Sequence, residues 1–174
     1  MAFIAAIIVA IIFFHSNAEP FYNRIPLTAH GSTGNYIVNM TPYAYMDTVI
    51  FLGLDKLNVT GVSVLIKELS SDTKKSFADA NSLDLNAAII GNRKQFIIYV
   101  KPMGRYECIP VISHELVHLS QYHRGRMRVL TTNQVVWDGA TMNVIDMEYN
   151  DRPWEKEAFA DQDRISTAIK QKLY

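Results

Sequence analysis

Ser113-His114-Glu115-Leu116-Val117-His118-Leu119-Ser120-Gln121 is a His-Glu-x-x-His stretch inside an apolar-patterned segment. On a helix, residues four apart lie one above the other on the same face. His114 and His118 can therefore offer two imidazole nitrogens to one ion. Glu115 follows the first of them by one residue, where a base must stand to take a proton from a metal-activated water. With five His and seven Glu among 174 residues, chance gives this pattern in roughly one shuffled chain in two hundred. That rarity favours a metal site over two unrelated histidines.

The flanks support a helix. Pro110 suits a first helical turn, where a missing N–H costs nothing. Gly125 suits the far end, with His123 and Arg124 facing the negative pole of the helix dipole. Ile112, Leu116 and Leu119 make one apolar stripe, while His114, Glu115, His118 and Tyr122 share another side. One face is expected in a core and the other in a cleft. His123 falls off the ligand face and reads as a solvated end-of-helix residue.

Composition narrows the chemistry. A chain of 174 residues, 49% hydrophobic and 20% charged, is one globular domain with a sizeable core. Lys plus Arg and Asp plus Glu are 17 each, and no basic cluster is interleaved with aromatics, so no nucleic-acid partner is indicated. The single Cys108 excludes an internal disulfide framework and a cysteine-based zinc site, which leaves histidines and carboxylates as ligands.

Ala2 to Phe14 is an unbroken apolar run, too short to span a bilayer but suited to the core of a signal peptide. Ser16 and Ala18 are small residues before a cleavage point, although no Lys or Arg precedes the run. Residues 1–18 are thus expected to be a signal peptide or short hydrophobic segment. The first outcome exports the chain; an uncleaved run would associate it with a membrane. Residues 19–35, with Pro20, Pro26, Gly31 and Gly34, read as a lead-in, and His30 there as a loop residue. Residues 36–174 form the domain.

Within it, Thr41-Pro42 suggests a helix start, and Tyr45, Val49 and Leu52 recur at helical spacing over about 42–57. Val62, Val64 and Ile66 alternate as a half-buried strand, residues 70–82 read as loop, and Leu85–Ile90 with Gln95–Lys101 read as a hairpin around Gly91-Asn92-Arg93-Lys94. Met127 to Asp138 reads as a strand or hairpin ending in Asp138-Gly139. Residues 141–150 read as loop, and a last helix runs from an Asp151 cap and Pro153 to about residue 172.

A hydrolytic zinc ion takes three protein ligands and keeps a position for water, so a later residue must complete the set. The last helix offers Glu155 and Glu157, about 200° apart around its axis, so only one can face the ion. Glu157 is the expected ligand. Asp161, four residues on, lies on the same face and can hold the distal nitrogen of a ligand histidine. Ala158 and Ala160 allow close helix approach, and Glu155 already has a use beside the positive helix end.

His-Glu-x-x-His followed by a helix carrying Glu157 and Asp161 resembles the gluzincin branch of the zincin metallopeptidases. Pro153-Trp154-Glu155-x-Glu157-Ala158 and the small size look most like its minigluzincin-type members. The resemblance covers about residues 109–168. It implies zinc ligands His114, His118 and Glu157, general base Glu115, and Asp161 as orienter. The implied fold is α+β: a small, mixed, mostly antiparallel sheet packed on the helix carrying the motif, with an edge strand beside the cleft and a C-terminal helix supplying the third ligand. The 38 residues between His118 and Glu157 exceed the spacing in thermolysin-like enzymes, so Met127 to Asn150 is expected as an inserted hairpin.

The implied activity is zinc-dependent hydrolysis of a peptide or protein substrate, with Glu115 moving the proton. Tyr149 and His123 are the nearest candidate donors to the developing oxyanion; Tyr149 reads equally well as a packing residue. Two alternatives share the residues: another metal-dependent amide hydrolase, for example on cell-wall peptide, and a non-catalytic zinc-binding module.

Overall fold

The alternating stretch Ser63–Glu68 lies at the centre of a five-stranded mixed sheet. The computed structural model describes residues 28–30, 33–71, 73 and 85–174. In chain order they form β1 (Thr28–His30), β2 (Asn35–Asn39), α1 (Tyr45–Lys56), β3 (Ser63–Glu68), β4 (Ala87–Gly91), β5 (Gln95–Val100), α2 (Arg105–His123), β6 (Met127–Thr131), β7 (Gln134–Trp137), β8 (Ala140–Asn143) and α3 (Pro153–Leu173). Short 3-10 turns lie at Val144–Asp146 and Tyr149–Asp151. The apolar run Ala2–Phe14, the lead-in to Leu27 and most of the expected 70–82 loop lie outside the described residues. No described helix is long and apolar enough to cross a membrane.

The main sheet runs β1-β2-β3-β5-β4. β2–β3 and β3–β5 are parallel, whereas β1–β2 and β4–β5 are antiparallel. The domain is thus α+β with a mixed sheet, but the expectation of mostly antiparallel pairing fails at the centre of this sheet. Two placements produce this: β5 inserts between β3 and β4 and runs parallel to β3, and β2 forms within the short stretch Asn35–Asn39. Once it forms, α1 becomes the crossover that brings β3 back alongside it in the same direction.

One sheet face carries Ile37, Val64, Ile66, Ile89, Phe96 and Ile98 into a core shared with α1, α2 and α3. α2 lies in the middle of that core. All residues from Ile112 to Tyr122 are buried, so the expected division into a core face and a cleft face does not hold. One side of α2 meets the sheet and α1; the other meets α3. Gly53 of α1 marks the closest approach, since a Cβ there would stand 2.3 Å from Leu116 Cδ1.

α2 starts earlier than Pro110 suggests. Gly104 caps it, donating its N–H to Glu107 Oε2 at 3.2 Å, and Pro110 is an interior residue. An interior proline costs about 3 kcal/mol. Burial of Cys108, Ile109 and Ile112 offsets this, because each large apolar side chain contributes roughly 1.5–3 kcal/mol. The far end closes as foreseen. Gly125 takes φ +71°, with its N–H on Tyr122 O and the Arg126 N–H on Gln121 O, a Schellman cap. α1 begins at Tyr45 because Asn39 Oδ1 engages both the N–H and the hydroxyl of Thr41, which draws Thr41-Pro42 into a turn ahead of the helix. α3 begins at Pro153, with Arg152 as its N-cap. Asp151 instead pairs with Lys156 at 2.9 Å.

The inserted segment is a three-stranded antiparallel sheet, β6-β7-β8, one strand more than expected. Asp138 and Gly139 both adopt positive φ, 47° and 87°, and join Trp137 to Ala140. Two such residues make the tight turn favoured in hairpins, so the polar stretch Ala140–Asn143 pairs as a strand rather than remaining loop.

Candidate metal centre

His114, His118 and Gln121 fall at positions i, i+4 and i+7 of α2, on one line along the helix. Glu155, Phe159 and Gln162 repeat that spacing on α3. The two lines meet: His114 lies against Glu155 and Gln162, and Gln121 against Trp154.

Three atoms converge there. His114 Nε2 lies 3.1 Å from His118 Nε2 and 3.1 Å from Glu155 Oε2, and His118 Nε2 is 3.3 Å from that same oxygen. All three residues are fully buried. They form a His, His, Glu group close enough to bind a metal.

The structure therefore brings Glu155, and not Glu157, to the histidines. Glu157 turns the other way, its Oε1 2.7 Å from Arg126 Nη1. Arg126 also holds Asp138 through two hydrogen bonds of 2.8 Å and lies over the Trp137 ring. A carboxylate matched to that guanidinium has no reason to turn inward. Trp154, packed on Trp137 with ring centroids 6.2 Å apart, fixes the rotation of α3 that points the next residue, Glu155, at the histidines.

Asp161 is likewise displaced from its expected role. It pairs with Arg164 at 3.0 Å, and its neighbour Gln162 sets Oε1 3.1 Å from His114 Nδ1. On the other ring, Gln121 Oε1 stands 2.9 Å from His118 Nδ1. His123 lies off the ligand face at the end of α2 as expected, half-buried, and its Nδ1 reaches Arg93 O at 2.8 Å in an exposed contact that ties α2 to the β4–β5 turn. Tyr149 does reach the centre, donating its hydroxyl to Glu155 Oε2 at 2.6 Å.

The amide of Gln121 has one consistent orientation. Its Nε2 donates to Trp154 O at 3.0 Å, so its Oε1 accepts from His118, whose proton on that side is on Nδ1. The His118 Nε2 lone pair then faces a carboxylate oxygen and a second imidazole nitrogen. Such a convergence needs positive charge at its centre, either a proton or a metal cation. Burial works against a charged His118, but the Glu155 carboxylate outweighs it and holds the ring up to about 9. For Glu155, burial acts to raise the carboxyl; the two imidazoles prevail and hold it down to about 2. Burial keeps His114 below its ordinary value. A metal entering this centre displaces a proton from His118.

The residues fit such a cation. Ligand atoms 2.0–2.1 Å from a tetrahedral ion stand about 3.3 Å from one another, which matches the three separations. Glu155 Oε1 and both Glu115 carboxylate oxygens are buried without a hydrogen-bond partner among the described residues, and unpaired buried acceptors are costly without a nearby cation.

Burial pushes the Glu115 carboxyl up to about 8 from an ordinary 4.5. A raised folded-state value favours the fold fully below about pH 4.5, and this contribution is lost as pH rises through 8. In a chelator, Glu115→Gln is therefore expected to melt near the wild type at pH 5. At pH 9 it should be more stable by roughly 4 kcal/mol, as thermal unfolding would record. Equal melting at pH 9 would contradict the burial of an ionisable Glu115.

Comparison with known protein families, curated proteins and solved structures found no match for this chain.

Proposed function

We propose that this chain is a zinc-dependent peptidase of zincin type, with His114, His118 and Glu155 as ligands and Glu115 as general base. The observation that carries it is the convergence of two imidazole nitrogens and one carboxylate oxygen at 3.1–3.3 Å, beside an unpaired buried acid. Bound zinc supplies Lewis acidity, lowering the pKa of water towards about 7 and polarising a carbonyl. Glu115 accepts the proton from the attacking water and returns it to the leaving amine. Tyr149, whose hydroxyl already donates to Glu155, is the donor we assign to the developing oxyanion.

β4 gives the substrate a place to lie. It is the last strand of its sheet among the described residues and packs against α2. Asn86 O accepts from Lys101 N, and Asn92 N donates to Gln95 O. By antiparallel alternation, Ala87, Ile89 and Gly91 turn their backbone groups away from β5. An extended peptide adds there as a further strand. An exported setting agrees with the apolar run Ala2–Phe14.

The test is hydrolysis of an unstructured protein by the zinc-loaded chain. Cleavage should stop on chelation and return with added zinc; cleavage that persists in chelator would contradict the proposal. Full burial of His114, Glu115, His118 and Glu155 favours a second reading, a closed zinc site that serves folding. Zinc uptake that raises thermal stability, without hydrolysis of any peptide offered, would select it.

A further inference from the structure

Gln121 and Gln162 are the polar groups that back the two histidines, and neither carries charge. Gln121 does more than accept one hydrogen bond. Through Nε2 it holds the carbonyl of Trp154, the residue immediately before Glu155, while through Oε1 it holds His118. One buried side chain thus spans the histidine helix and the carboxylate helix. Gln162 contacts His114 from the opposite end of the same line on α3.

We propose that Gln121 and Gln162 are positioning residues that lock both imidazoles as Nδ1–H tautomers through neutral oxygens, leaving both Nε2 atoms for the cation. This inference rests on the proposed metal site. Partners of this kind fix ring orientation, and their loss commonly weakens metal binding 10–100-fold. Gln162 is the cleaner position to probe, because it is only half-buried, whereas Gln121 is buried and supports the helix contact as well.

The experiment compares wild type, Gln162→Ala, Gln162→Glu and Gln121→Ala in two measurements. Zinc affinity is read by competition with a chelating indicator, and the histidine tautomers of the metal-free chain are read by nitrogen-15 NMR. Gln162→Ala should bind zinc 10–100-fold more weakly, and Gln121→Ala at least as weakly. Gln162→Glu, which keeps an acceptor oxygen, should rescue binding to within about threefold of wild type. In the wild type and in Gln162→Glu, His114 should carry its proton on Nδ1; in Gln162→Ala that preference should vanish. A wild-type His114 protonated on Nε2 alone, or unchanged zinc affinity in Gln162→Ala, would overturn the inference and leave the metal reading standing. A wild-type chain that takes up no zinc overturns both.

Discussion

Glu115→Gln is expected to retain zinc and to lose peptide hydrolysis by at least a thousandfold. The substitution keeps the size and shape of the side chain but removes the group that accepts and returns a proton. General acid–base contributions alone are about 10²–10⁴-fold, and here one side chain serves both proton transfers. Metal content should be unchanged, because the three converging atoms belong to His114, His118 and Glu155. Steady-state kinetics with a quenched peptide, alongside metal analysis of the same sample, would check this. Hydrolysis at the wild-type rate would remove Glu115 from the mechanism. Loss of both zinc and activity would make Glu115 a fourth ligand and favour the closed folding site.

The second large effect separates two glutamates two residues apart. Glu155→Ala removes the carboxylate that the described residues bring to the cluster and leaves two imidazoles, so zinc affinity should fall by a factor of a hundred or more. Glu157→Ala breaks an ion pair with Arg126 in which the two side chains are 30% and 34% exposed. Such partly solvated pairs contribute about 0–1 kcal/mol, and Arg126 keeps Asp138, so zinc affinity should change less than about threefold. Equal losses in the two variants would contradict the assignment of Glu155.

Those two glutamates also show where sequence reasoning reached its limit. His114, Glu115 and His118 were legible because a helix forces residues four apart onto one line, whatever surrounds it. The third position depended on which face of α3 turns inward, and that is settled by Trp154 on Trp137 and by Arg126 on Glu157, contacts made across the inserted sheet. A signal was nevertheless present. Trp154, Ala158, Ile165 and Ile169 form one apolar stripe on α3, with Glu155 and Gln162 along one edge and Glu157 and Asp161 along the other. Phe159 extends the apolar face on the edge that carries Glu155 and Gln162, and it packs on His114. Gln121, seven residues after His114, was open to the same argument.

The sheet was half legible for a related reason. β3, β4 and β5 carry enough alternation or apolar length to stand out, and the Asp138-Gly139 turn was visible. β2 is five residues bounded by two asparagines, and its strand character comes from pairing with β3 and from buried Asn35, which bonds Val59 O and the Val62 N–H. Without β2 the parallel β2–β3 pair was out of reach, and the β3–β5 pair depended on β5 inserting between β3 and β4, which no local pattern specifies.

Zinc-edge X-ray absorption on the loaded chain tests the centre most directly. Two imidazole nitrogens and light oxygen donors at about 2.0–2.2 Å, with the second imidazole contribution lost in His118→Ala, is the predicted result. A spectrum with no imidazole scattering, or one unchanged by His118→Ala, would contradict it.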